Sequence, residues 1–66
     1  MIKLWIARDK DGSLWLFNEK PLRIGDEFRS PSSPLMGGQE IMIDSRLFQE
    51  LTWDNLPKEL TIKKEE

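Results

Sequence analysis

The sequence predicts a mainly β protein: a small single-domain antiparallel sheet or partly open barrel of about five strands, with one short helical turn. Three observations carry this. The stretch "WIARDKDGSLWLF" places two apolar runs around a cluster of turn residues. The middle, "EKPLRIGDEFRSPSSPLMGGQE", is punctuated by Pro21, Pro31, Pro34, Gly25, Gly37 and Gly38, which breaks any helical period. The later "QEIMID" and the Leu60 and Ile62 pair alternate with the period of a strand.

The first element is a hairpin. A type I turn over Asp9, Lys10, Asp11 and Gly12, with the glycine in the left-handed conformation, sets Asp9 opposite Ser13. Ala7 then faces Trp15, Trp5 faces Phe17, and Ile6 faces Leu16. Alternation puts Ile2, Leu4, Ile6, Leu14 and Leu16 on one face and Trp5, Ala7, Trp15 and Phe17 on the other. The same D-x-D-G step also suggests a calcium loop. Aligned by Gly12, however, such a loop places Ala7 and Asn18 where its first and last oxygen ligands belong, and the flanks read as strands rather than helices.

Downstream, short extended pieces at Leu22 to Ile24 and Glu27 to Arg29 are expected to add a strand to the ribbon. The loop "RSPSSPLMGG" has a mobile composition, with Leu35 and Met36 as a local apolar anchor. A strand is expected from Gln39 to Asp44. Asp44 or Ser45 then caps one or two helical turns that set Leu47, Phe48 and Leu51 on the sheet. A turn at Asp54 to Pro57 leads to a last short strand. Residues 1–62 form the domain, and 63–66, "KKEE", a solvated tail. The expected core is Leu4, Ile6, Leu14, Leu16, Ile41, Ile43, Phe48 and Leu51.

Composition narrows the chemistry. A chain of 66 residues buries only about 60% of the surface its unfolded form exposes, so its core is modest. Cysteine and histidine are absent, which removes disulfides and the usual zinc ligands. The carboxylates, lysines and serines that remain offer no tuned acid–base pair, and Asp9 and Asp11 read as solvated turn residues. No enzyme activity, cofactor, metal site or catalytic residue is expected. With a net charge of −2, no apolar run long enough to span a bilayer and no signal-peptide pattern at the start, the reading is cytoplasmic, without membrane association.

The segments "WIARDKDGSLWLFNEKP" and "LFQELTWDN", with a nearby proline, resemble short uncharacterised proteins of phages, prophages and mobile elements of gut bacteria. The resemblance covers about half the chain and implies an accessory protein of a mobile element. It carries no site residues.

What the residues themselves raise is a ribbon that is apolar on both faces, each of which needs a cover. One reading is that the remaining chain wraps both. The other leaves the Trp5, Trp15 and Phe17 face, with Trp53 as neighbour, open as a docking surface for a protein partner or a second copy. A third places single-stranded nucleic acid on those rings, beside a basic edge of Lys3, Arg8, Lys10, Lys20 and Arg23. The charge balance favours the protein-interaction module, possible self-association included, over the nucleic-acid platform.

Overall fold

Asp9 donates its backbone N–H to the Ser13 carbonyl at 2.9 Å and accepts from Gly12 N–H at 3.0 Å, closing the first turn. Gly12 takes φ +94°, a backbone region that L side chains rarely adopt. The computed structural model of the chain describes residues 2–62. From that turn run β1 (Ile2–Arg8) and β2 (Leu14–Phe17), antiparallel with Trp5 opposite Phe17, Ile6 opposite Leu16, Ala7 opposite Trp15 and Arg8 opposite Leu14. The register is the one the turn chemistry dictates.

Further along come β3 (Leu22–Ile24), β4 (Glu27–Arg29), a 3-10 turn at Pro34–Met36, β5 (Glu40–Ile43) and β6 (Lys58–Ile62). The strand order β5-β2-β1-β6 makes a four-stranded antiparallel sheet, and β3 pairs only with β4. The architecture is therefore two antiparallel sheets rather than a closed barrel, with six strands among the described residues where about five were expected.

Each face of the β1–β2 ribbon has its own core. On one side Ile6 and Leu14 pack with Leu51, flanked by Leu16, Ile43, Phe48 and Leu60. On the other, Ala7 and Phe17 pack with Phe28, flanked by Trp5, Trp15 and Trp53. The expectation that β3 or β4 extends the ribbon is corrected. A two-residue turn at Gly25 and Asp26, with Gly25 at φ +60°, folds the two strands on each other and lays Phe28 over the aromatic face.

The helical turn expected near Leu47 does not form. Leu47 N–H does reach the Asp44 carbonyl at 3.0 Å, as a helix start requires. Phe48 then enters the left-handed region at φ 50°, which ends any right-handed turn. Arg8 donates to carbonyls of this segment and to one of the first turn. Its Nε donates to Leu51 O at 2.6 Å, one terminal nitrogen to Gly12 O at 2.8 Å and Ser45 O at 3.1 Å, and the other to Leu47 O at 3.0 Å and Phe48 O at 3.2 Å. All five guanidinium donors are thus used on backbone. Ile41, expected in the core, is 57% exposed, because the covering segment packs on Ile6 and Leu14, at the other end of the face. The charged tail at 63–66 lies outside the described residues.

Candidate functional site

The structure brings Trp5, Trp15, Phe17 and Trp53 together in one cluster, but as neighbours of a core. Phe17 is 0% exposed, so it is an interior ring and not a docking contact. Trp5, Trp15 and Trp53 are half-buried. Trp53 meets Phe28 edge-to-face, with centroids 5.3 Å apart and planes at 65°. Arg23 closes the arrangement from outside: its guanidinium lies 4.1 Å from the Trp53 ring centroid and 5.1 Å from that of Phe28, and it donates to the Trp53 carbonyl. Trp15 Nε1 donates to Ser13 Oγ at 3.0 Å. The centre of the aromatic face, at Ala7 and Phe17, is covered by its own chain, while Met42, opposite Trp15, is 59% exposed.

Asp9 belongs to that cover. Only 6% exposed, it accepts the Phe28 N–H on Oδ1 at 2.8 Å and so fastens β4 to the first turn. Burial raises its pKa above the ordinary aspartate range; the Phe28 N–H opposes this, and Glu27 and Asp11 add to it. The expectation of a solvated Asp9 is corrected, while Asp11 takes the turn role. Asp11 accepts from the Ser13 hydroxyl at 2.6 Å and the Ser13 N–H at 2.9 Å, which hold its pKa low.

Four of the five residues of the basic edge have partners, and Lys20 is exposed. Arg8 and Arg23 are held as described, Lys3 lies 3.8 Å from Glu59, and Lys10 lies 3.8 Å from Asp26. Along the outer edge of β5 runs a cleft of about 590 Å³, walled by the Ser30 to Pro34 loop. Several of its polar groups have partners: Ser30 Oγ, Ser32 N and Ser32 Oγ donate to Glu19 at 2.6, 2.8 and 3.1 Å, while Glu40 pairs with Arg29 at 3.1 Å. The three donors hold Glu19 below the ordinary glutamate range. No group of three His, Cys, Asp or Glu among the described residues is placed to hold a metal ion.

The opposite face carries the surface that sequence reasoning missed. Cross-strand partners share a face, so Leu16 with Ile41, Leu4 with Leu60, and Ile2 with Ile62 form three aliphatic pairs running obliquely over the four strands. Phe48 and Leu51 cover the end of this face at Leu14 and Ile43. The other end stays open, with Ile2 56%, Ile41 57% and Ile62 49% exposed. Two cations stand on the same face, Arg8 and Lys58. Both turn toward the covered end, Arg8 into the 45–51 carbonyls and Lys58 to within 3.8 Å of Glu50 and 5.6 Å of the Phe48 ring centroid. The open half is left aliphatic and uncharged. The signal was present in the alternation of β1, β5 and β6, but the length of the cover was not.

No family model, curated protein or solved structure matches the chain. Among the described residues no helix is long and apolar enough to cross a membrane.

Proposed function

We propose that the protein is a small non-catalytic interaction module that docks a protein partner on the open half of its aliphatic sheet face, in an accessory role consistent with the phage and mobile-element resemblance. The observation that supports this is the exposure of Ile2, Ile41 and Ile62 on a face whose other aliphatic side chains, Leu4, Leu16 and Leu60, are half-buried, with the neighbouring cations Arg8 and Lys58 turned toward the covered end. An apolar patch on a small domain gains free energy when a partner removes it from water. The engagement of Arg8, Arg23, Lys3 and Lys10 favours a protein partner over a nucleic-acid strand, which needs cations beside free ring faces.

The test is a titration with an apolar fluorescent dye, read by backbone amide shifts. Shifts confined to the six residues and their neighbours support the docking surface. Shifts centred on Trp5 and Trp15, or none at all, overturn it.

A further inference from the structure

We infer that the outer edge of β5 takes up an extended peptide segment of another protein as an added strand of the sheet. The register decides which backbone groups are available for it. Asp9 and Ser13 are bonded to each other across the first turn, so by alternation Trp15 and Phe17 turn their backbone toward β1, while Leu14 and Leu16 turn theirs toward β5. Their partners Ile43 and Ile41 close that ladder, and the Asn18 N–H to Gln39 carbonyl bond at its far end keeps the same phase. Glu40 and Met42 therefore point their N–H and C=O groups outward, and among the described residues no strand pairs with that side of β5.

Charge, apolarity and space set this edge apart from the opposite one. There β6 carries Lys58 and Glu59, charges of the kind that keep a further strand from adding. β5 has a single charge, Glu40, and it is engaged by Arg29 Nη1 at 3.1 Å and by the Ser30 N–H at 3.3 Å. The exposed side chains of β5 are apolar on both faces of the sheet, Ile41 at 57% and Met42 at 59%. Both halves of the strand also lie beside open space: the cleft of about 590 Å³ borders Gln39 to Ile41, and a hollow of about 560 Å³ borders Met42 and Ile43.

The chemistry of the edge names its occupant. Outward N–H and C=O groups at alternate residues of a strand are matched in spacing by the backbone of another extended chain. Two consecutive apolar residues of that chain lie beside Met42 on one face and Ile41 on the other. A second copy fits less well, because its own β5 carries the same Ser30 to Pro34 wall and edge-to-edge pairing brings two walls into one seam. With only Glu40 and Met42 offering backbone groups, the contact is short and the binding reversible. The edge shares only Ile41 with the open aliphatic face, so the inference stands independently of that docking reading.

The experiment is amide hydrogen exchange of the protein with up to about 1 mM of a blocked peptide, acetyl-Lys-Thr-Val-Ile-Val-Thr-Lys-amide, and with two N-methylated forms of it. One form is methylated at both Val residues, the other at Ile and both Thr residues, so each blocks one phase of the peptide's alternation. In the free protein the Ile41 and Ile43 amides are expected to exchange slowly and those of Glu40 and Met42 fast. At a peptide concentration about ten times Kd, Glu40 and Met42 exchange slows about tenfold, and one methylated form loses binding while the other keeps it. Met42→Pro removes the outward N–H where an edge strand tolerates proline, and it weakens binding about tenfold with Ile41 and Ile43 still slow. If that variant fails to fold, the methylated pair carries the decision. Ile62→Glu, on the aliphatic face, leaves peptide binding unchanged. Glu40 and Met42 exchange that the peptide does not alter, equal binding of the two methylated forms, folded Met42→Pro that binds like the wild type, or folded Ile62→Glu that loses binding each overturn the inference. So does slow Met42 exchange in the free protein that fades on dilution, the mark of pairing with a second copy.

Discussion

Arg8 acts on backbone carbonyls rather than on a carboxylate, and a lysine cannot imitate it. The five donors of a planar guanidinium reach acceptors in two separate turns, whereas an ammonium has three donors at one point. Arg8→Ala and Arg8→Lys are both expected to destabilise the protein, the alanine by about 2–4 kcal/mol in urea unfolding. A lysine variant as stable as the wild type would show that charge alone suffices. The same scale holds a pH dependence with two signs. Asp9 has its pKa raised by burial, so the stability tied to it is complete below the ordinary aspartate range and is lost as pH rises through the raised folded value. Asp9→Asn keeps an oxygen for the Phe28 N–H without the charge and is expected to melt no lower than the wild type at about pH 7, while Asp9→Ala, leaving that N–H unpaired, costs about 1–3 kcal/mol. Equal losses in the two variants would contradict this account. Glu19 has the opposite sign: its contribution is present above the ordinary glutamate range and is lost as pH falls through its lowered value.

Among the elements, the Ser30 to Gly38 loop is ordered by side chains outside itself. Glu19 holds its first part, while Asn18 donates to Gly37 O at 2.7 Å and accepts from Gln39 N at 2.9 Å. Gly38 is buried at its end, where an added Cβ would collide with the Ser32 carbonyl and meet Ser30 Oγ at 2.7 Å. Gly38→Ala is expected to destabilise by about 1–3 kcal/mol and to release the Ser32 amide to hydrogen exchange while β1 and β2 amides stay protected. Retained Ser32 protection would show that the loop can shift to accept the methyl. How far such elements were legible follows from the range of the interactions that make them. The β1–β2 register could be read because Asp9 to Ser13 contain its whole cause. The strands at Glu40–Ile43 and Lys58–Ile62 could be read from alternation. The break at Phe48 could not, since it is sustained by an arginine about forty residues away. Nor could the placement of β3 and β4 over the aromatic face, which turns on the Phe28 to Asp9 hydrogen bond across 19 positions.

For the whole molecule, one ribbon carries two cores that share no side chain. A domain of 66 residues has about 3–10 kcal/mol of stability in total. Phe28→Ala, which removes the buried centre of the aromatic cover, is expected to cost about 3–5 kcal/mol and hence to leave much of the population unfolded. The readout is red-shifted emission of Trp5, Trp15 and Trp53; blue emission with a native melting temperature would mean that the cover is dispensable. The candidate surface was only half legible at this scale. Apolar character on both faces was evident from alternation, and it raised the question of which face the chain leaves open. The answer depended on two covers that each close one part of their face: a hairpin with Trp53 over Ala7 and Phe17, and a segment from Ser45 to Leu51 over Ile6 and Leu14.

The Arg8 clasp also bears on the order of events when the chain folds. The hairpin closes through contacts a few residues apart, whereas four of the five Arg8 hydrogen bonds join positions 37 to 43 apart, to a segment with no helix or strand of its own. Contacts that close long loops gain nothing until the intervening chain is ordered. The clasp therefore sets after the rate-limiting barrier, and Arg8 variants should speed unfolding while leaving the refolding rate nearly unchanged. The guanidinium acts as a latch on the finished protein, setting how long it stays closed rather than how fast it is made.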